Sequence, residues 1–87
     1  MSNSMNITVR YFASIREAMG AGSEDLQTSA TTVGALREAL MARSEAAAHA
    51  LAHGKAVRMA LNQDMCHGDA PLKAGDEVAF FPPVTGG

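Results

Sequence analysis

The chain has 87 residues, which is enough for one small domain and too few for a two-domain enzyme. Hydrophobic residues make up 47% of the chain and charged residues 18%, a composition typical of a packed globular domain. The net charge is −2 and there is no run of basic residues, which argues against a nucleic-acid partner. The apolar runs are too short for a membrane span or signal peptide, and the single cysteine, Cys66, favours the cytoplasm.

The N-terminal part of the chain predicts a strand, a short helix and a second strand. Residues 1–4 take part in no periodic pattern, which predicts a disordered leader. Apolar and polar residues alternate from Met5 to Tyr11, as in a half-buried strand. The segment from Ala13 to Met19 tolerates a helix, Gly20–Gly22 ends it, and a strand around Glu24 to Thr28 follows.

The middle of the chain predicts the main helix and a shorter one. The main helix begins after Thr31 or Thr32, either of which can cap it, and continues to about Arg43. Its apolar residues recur at helical spacing and line one face: Val33, Leu36 and Leu40. Ser44 can cap an alanine-rich helix from Glu45 to Ala52, and Gly54 lies where a left-handed residue would end it.

The remaining segments predict three strands joined by turns. Alternation from Val57 to Leu61 indicates a third strand, and the turn residues Asn62–Asp64 separate it from a short strand at Met65 to His67. A turn at Lys73–Asp76 precedes the last strand, Glu77 to Phe81. This order predicts an α+β fold in which one mixed sheet packs on one main helix.

The side chains suited to catalysis are scattered. His49 and His53 have helical i, i+4 spacing, but no third or fourth metal ligand is evident, so a solvated helix face is the better interpretation and no metal site is predicted. Cys66 is expected to be a small buried hydrophobic residue, because the neighbouring His67 leaves a strand on the opposite side. The glycines at 20 and 22 lack the Lys-Ser/Thr ending of a phosphate loop.

The C-terminal segment has no structural explanation of its own. Gly86 and Gly87 bury nothing and cap nothing, while Pro82 and Pro83 hold the preceding chain extended. Residues 82–87 reach at most about 20 Å, enough to enter a partner's channel, and the absence of side chains on the last two residues suits a narrow one. We therefore predict a domain at residues 5–81 with an extended tail at residues 82–87, whose terminal carboxylate reacts after activation by another protein.

The residues from Gly75 to Gly87, GDEVAFFPPVTGG, closely resemble the C-terminal segment of the small subunits of molybdopterin synthase, a family of ubiquitin-like sulfur carriers. Weaker matches to the same family occur at Tyr11–Glu17, Thr32–Arg37 and Ala60–Gln63. Arg43–Ala56 follows no family motif.

The resemblance implies a β-grasp fold and a sulfur-transfer function. It implies that a ubiquitin-activating-type adenylyltransferase places a transient AMP on Gly87, that a sulfur donor converts this end to a thiocarboxylate, and that no cofactor is bound permanently. The sulfur would pass to a cyclic pyranopterin monophosphate, forming the molybdopterin dithiolene, in a complex of two small and two large catalytic subunits. The family pattern places Phe81 against the large subunit and the tail in its channel, and strand alternation then makes Phe80 the core residue. The tail residues concerned are Pro82, Pro83, Val84, Thr85, Gly86 and Gly87.

Three other functions remain open from the residues. A sulfur carrier for thiamine biosynthesis shares the terminal Gly-Gly but generally lacks the Phe-Phe-Pro-Pro-Val-Thr run. A protein modifier would attach Gly87 to lysines, although Lys55 and Lys73 are the only lysines here for chain building. The third is a β-grasp binding module with an inert tail. Neither a nucleic-acid nor a membrane partner is expected.

Overall fold

A computed structural model of the chain describes residues 4–83. The elements, in chain order, are β1 (Met5–Tyr11), α1 (Ala13–Met19), β2 (Ser23–Thr28), α2 (Val33–Arg43), α3 (Glu45–Ala50), β3 (Arg58–Leu61), β4 (Asp64–Cys66) and β5 (Glu77–Phe81). Within these residues, none of the helices has both the length and the apolar character that crossing a membrane requires.

The strands form one mixed sheet in the order β2-β1-β5-β3-β4. The first and last strands, β1 and β5, pair in parallel at its centre, and the other neighbouring strands pair antiparallel. The helices cover one face of this sheet, and that face, with the side chains packed on it, is called the inner face below; the opposite face is the outer face. The α+β class and the β-grasp fold predicted from the sequence are confirmed.

The core lies between the inner face and α2. Alternation along β1 buries Ile7, Val9 and Tyr11, as its period of two predicts. The predicted apolar stripe of α2 is buried too, and Thr32 is its N-cap, with the Thr32 Oγ1 accepting a hydrogen bond from the Ala35 amide at 3.1 Å. The amides of Val33 and Gly34 donate to the carbonyls of Ala70 and Gly68. The helix start is therefore tied to the segment before β5.

The prediction for α3 is correct at its start and wrong at its end. The Ser44 side chain accepts from the Ala47 amide, but the helix ends at Ala50 rather than Ala52, and Gly54 does not have the left-handed conformation. The reason is Arg37, whose buried guanidinium donates to the carbonyls of Leu51 at 2.7 Å and Ala52 at 3.0 Å. These bonds satisfy two carbonyls just past the end of α3 without a left-handed glycine.

The hairpin of β3 and β4 also differs in detail from the prediction. The third strand begins at Arg58, one residue later than expected, and the short fourth strand is Asp64–Cys66 rather than Met65–His67. The turn has two residues, Asn62 and Gln63, with φ of 51° and 73°. Such left-handed pairs match the twist of a tight hairpin, so Asp64 enters the strand.

Candidate functional site

Strand β5 leads into the tail and is fixed firmly at its start. The Asp76 carboxylate accepts hydrogen bonds from the Asn62 side-chain amide at 3.1 Å and from the Lys73 backbone amide at 2.8 Å. The side-chain oxygen of Asn62, Oδ1, in turn accepts a hydrogen bond from the Glu77 backbone amide at 3.0 Å. The bonds from Asn62 and Lys73 lower the pKa of Asp76. The residues that the sequence marks only as turn residues therefore anchor the strand that leads into the predicted tail.

Consecutive phenylalanines at the end of β5 face opposite sides of the sheet. Phe80 is 0% exposed and stacks on Tyr11, with ring centroids 6.4 Å apart. Phe81 lies on the outer face, half-buried, and its ring meets that of Phe12 edge-on, also at 6.4 Å. The predicted assignment of Phe80 to the core is confirmed, and Phe81 faces the side away from the helices.

The outer face presents an apolar surface around Phe81. Phe12 is 43% exposed and Met65 is 60% exposed, and these are the large hydrophobic side chains most open to solvent among the described residues. Ala60 and Ala79 pair across β3 and β5 on the same face but are themselves buried, at 6% and 9% exposed. We call this surface, formed by Phe12, Ala60, Met65, Ala79 and Phe81, the outer patch. The exposed Arg58 pairs with Phe81 across β3 and β5, so a cationic side chain lies beside the outer patch. Exposed large hydrophobic side chains of this kind are typical of interaction sites.

Sequence reasoning assigned no role to Phe12 or Met65. The signal for Phe12 is present in the alternation of β1: if Tyr11 points inward, the next residue points outward. The Phe12 amide donates to the Phe80 carbonyl at 3.2 Å, and Ala13 then has a φ of 52°, which is unfavourable for a residue with a Cβ. The Arg10 guanidinium lies 5.8 Å from the centre of the Phe12 ring. Backbone and side chain together hold Phe12 beside Phe81.

Most of the predicted tail lies outside the residues that the structure describes. Pro82 and Pro83 follow β5 and are half-buried. The predicted tail residues Val84, Thr85, Gly86 and Gly87 lie beyond residues 4–83, as does most of the predicted leader. Their predicted roles, including adenylation and sulfur transfer at Gly87, remain predictions.

Residues 4–83 contain no group of three or more His, Cys, Asp or Glu side chains that could hold a metal ion. His53 contacts Glu38 on α2, while His49 lies exposed on α3. Cys66 is half-buried, not buried as expected, because β4 lies at the edge of the sheet. Burial raises the pKa of its thiol, and Asp69 adds to the effect, so the thiol is a poor nucleophile at neutral pH.

Known proteins similar to this chain share both its sequence pattern and its fold. The model of the ThiS family matches residues 9–87. The chain is 47% identical to the molybdopterin synthase sulfur carrier subunit of Escherichia coli (strain K12) over 81 residues, covering 93% of this chain and 99% of that protein.

Two solved structures extend this similarity. The solution structure of the Haloferax volcanii HVO 2177 protein matches all of this chain and 91% of that one, with a TM-score of 0.79 and 29% identity. A complex of subunits 1 and 2 of the molybdopterin-converting factor from Helicobacter pylori 26695 contains a chain that is 31% identical with a TM-score of 0.64. That match covers 95% of this chain and 100% of the other.

Proposed function

Because the chain belongs to the ThiS family, we propose that it is the sulfur carrier subunit of molybdopterin synthase and that it carries sulfur on Gly87. The observation that carries this proposal is the 47% identity, over nearly the full length of both chains, to a molybdopterin synthase sulfur carrier subunit. The sequence ends in Gly86-Gly87, and the chemistry requires a C-terminal glycine carboxylate.

The chemistry proceeds by activation and displacement at the terminal carboxylate. A free α-carboxyl group has a pKa of about 3.3 to 3.7, so it is ionised at neutral pH and is a poor electrophile. A ubiquitin-activating-type adenylyltransferase transfers AMP from ATP to a carboxylate oxygen of Gly87 and releases pyrophosphate, which makes that oxygen part of a leaving group. A sulfur donor then attacks the carbonyl carbon and AMP departs with the oxygen. The product is a thiocarboxylate, a stronger nucleophile than the carboxylate.

The thiocarboxylate acts within a complex. We propose that two copies of the chain bind a dimer of the large catalytic subunit, each with residues 82–87 in a large-subunit channel. There the sulfur passes to the cyclic pyranopterin monophosphate and contributes to the dithiolene of molybdopterin. The large subunit supplies the catalytic groups, and this chain has no catalytic activity alone. We place this reaction in the cytoplasm.

The described residues support docking to a large partner in two ways. The outer patch offers apolar surface next to the root of the tail, and aromatic side chains such as Phe12 and Phe81 are enriched where protein partners bind tightly. The hydrogen bond between Asp76 and Asn62 fixes the start of β5, and the rest of the strand is held by pairing with β1 on one side and β3 on the other. A tail that follows such a strand starts from a defined position relative to the outer patch.

The test is the intact mass of the protein purified from its native cells, with the C-terminal peptide sequenced. We expect a fraction heavier by one oxygen-to-sulfur exchange at Gly87, and a variant lacking Gly87 provides the matched control. An unmodified carboxylate in sulfur-replete cells containing the activating enzyme would contradict the proposal and favour the inert binding module. Lysine isopeptide adducts of Gly87 would favour the modifier.

A second assay separates the two sulfur-carrier functions. The thiocarboxylated protein is mixed either with the large subunit and the pterin precursor or with the thiamine thiazole synthase. We expect sulfur transfer in the first mixture alone. Transfer in the second mixture alone would assign the chain to thiamine biosynthesis.

A further inference from the structure

A groove of about 260 Å³ lies beside the root of the tail, on the flank away from the outer patch. Its walls come from α1, the end of α3, the loop before β3 and the first proline of the tail. They include Ser14, Ile15, His49, Lys55, Val57 and Pro82. Part of the groove therefore belongs to the segment Arg43–Ala56, which follows no family motif in the sequence.

The groove has an unbalanced positive charge. None of the residues that line it carries a carboxylate, while Lys55 contributes a cation. Within residues 4–83, Arg10, Arg43 and His53 each have a carboxylate partner, but no carboxylate lies within 4.0 Å of the Lys55 ammonium. An anionic group is therefore the complement of this groove.

The loop that carries Lys55 is fixed rather than loose. The Lys55 amide donates to the Ala52 carbonyl at 3.0 Å, and that same carbonyl accepts from the buried guanidinium of Arg37 at 3.0 Å. The backbone of Lys55 is thus linked, through the Ala52 carbonyl, to the buried side chain of Arg37 on α2. A cation held in this way offers a partner a defined charge, at a lower ordering cost than one on a free loop.

The position of the groove identifies its occupant. Pro82 is one of its walls and is also the first residue of the tail, which in the proposed function enters a channel of the large subunit. A partner that surrounds the tail must also cover the surface next to its root. We propose that an acidic segment of the large subunit, at the mouth of that channel, occupies this groove and pairs a carboxylate with Lys55. This inference rests on the proposed function and adds a contact on the flank opposite the outer patch.

The experiment measures the dissociation constant between this protein and the large subunit by titration calorimetry, at low and at high salt. The test variant is Lys55→Glu. The matched control is Lys73→Glu, which changes the chain's other lysine, in the turn that precedes β5, at the strand end opposite Pro82. Melting curves confirm that both variants fold.

We expect Lys55→Glu to weaken binding about tenfold at low salt, because like charges then meet across the interface, and Lys73→Glu to change it less than twofold. The difference between the two variants should shrink at high salt, because screening weakens exposed charge pairs. Replacing in turn each acidic residue at the mouth of the large subunit's channel with lysine should identify one change that restores binding to Lys55→Glu.

Three results would overturn the inference. Equal binding by Lys55→Glu and the wild type would show that no carboxylate pairs with Lys55, and would leave the proposed function intact. Tighter binding by Lys55→Glu would indicate that the chain's own terminal carboxylate occupies the groove and is released by the substitution. Failure of the wild-type protein to bind the large subunit at all would overturn the proposed function, and the inference with it.

Discussion

Two aromatic pairs are made by consecutive residues, and one lies in the core while the other lies at the surface. Tyr11 and Phe80 pair on the inner face, while Phe12 and Phe81 pair on the outer face, and the ring centroids are 6.4 Å apart in both. The inner rings are nearly parallel, at 18°, and are buried; the outer rings meet at 88° and remain partly open to solvent. Consecutive residues at the ends of β1 and β5 thus supply one buried aromatic contact and one that is partly exposed.

The inner pair includes one polar group, the Tyr11 hydroxyl, and that group has a hydrogen-bond partner. The Tyr11 hydroxyl donates to the Glu24 carboxylate at 2.8 Å, and Arg43 binds that carboxylate through two nitrogens at 2.7 and 3.0 Å. Burial and the bond to Glu24 raise the pKa of Tyr11, so the hydroxyl stays a proton donor at any physiological pH. The outer pair has no such polar support except the Arg10 guanidinium above Phe12. Its exposed edges are available for a partner.

The largest effect should come from truncating Phe80, and the same truncation of the adjacent Phe81 should affect binding instead. Phe80→Ala removes a fully buried ring and should lower the free energy of unfolding by about 3 to 5 kcal/mol, a large part of the total for a domain of this size. Phe81→Ala should cost less than about 1 kcal/mol of unfolding free energy but weaken binding to the large subunit about tenfold. Urea denaturation and titration calorimetry measure the two effects.

The two variants control each other, because they make the same chemical change one residue apart. If Phe81→Ala unfolds the chain and Phe80→Ala does not, the assignment of Phe80 to the core and Phe81 to a partner interface is wrong. If both variants fold and bind like the wild type, the outer patch is not the docking surface.

The second prediction concerns the helix layer that covers the inner pair. A Cβ on Gly34, at the start of α2, would lie 2.9 Å from the Gly68 carbonyl oxygen, and the backbone there is held by the bond between the Gly34 amide and that same oxygen. Gly34→Ala should therefore lower the free energy of unfolding by about 1 to 3 kcal/mol, although alanine favours helices. Urea denaturation measures this change.

Gly54→Ala is the matched control for that substitution. A Cβ on Gly54 meets no heavy atom within 4 Å and its backbone is not left-handed, so this change should be neutral or stabilise by up to about 1 kcal/mol. An equal loss of stability in both variants would mean that the close approach of α2 to Gly68 is unimportant. Neither variant should alter the outer patch.

The third prediction uses pH to test how firmly β5 is anchored. Hydrogen bonds from Asn62 and Lys73 depress the folded-state pKa of Asp76 below its unfolded value. Their contribution is therefore complete above the unfolded pKa, near 3.9, and is lost as the pH falls through the folded pKa. The wild type should be more stable than Asp76→Asn at pH 7, and the difference in melting temperature should narrow steadily below about pH 4.

Glu24 has a lowered pKa as well, but it is present in both proteins, so its effect cancels in the difference. A difference that stays constant from pH 7 to pH 2 would show that the Asp76 charge contributes nothing to the anchor.

Much of this fold follows from local patterns. The alternation of β1, the apolar stripe of α2 and the assignment of Phe80 to the core depend on periods of 2 and 3.6, which the sequence displays directly. The end of α3 does not follow from a local pattern. It depends on a hydrogen bond from Arg37, more than ten residues away in the chain, to a carbonyl at the helix end. The outer patch does not follow from local patterns either, because Phe12 and Met65 come to the same face as Phe81 only when the strands pair. Contacts between distant residues leave no local trace.

The smallest effect should come from the backbone that orients the outer pair. Ala13 follows Phe12 directly and has a φ of 52°, where a Cβ costs about 1 to 2 kcal/mol. Glycine avoids this cost but loses about 0.5 to 1 kcal/mol more through the flexibility of the unfolded chain, so Ala13→Gly should raise the free energy of unfolding by about 0.5 kcal/mol. Ala39→Gly, in the exposed middle of α2, should lower it by about 0.5 to 1 kcal/mol. Urea denaturation of both variants shows whether the two changes in unfolding free energy have opposite signs. A decrease in both variants would mean that Ala13 is unstrained. If the signs are opposite, the chain accepts strain at Ala13 to turn Phe12 outward, so part of the stability that the inner pair provides is used to present the outer one.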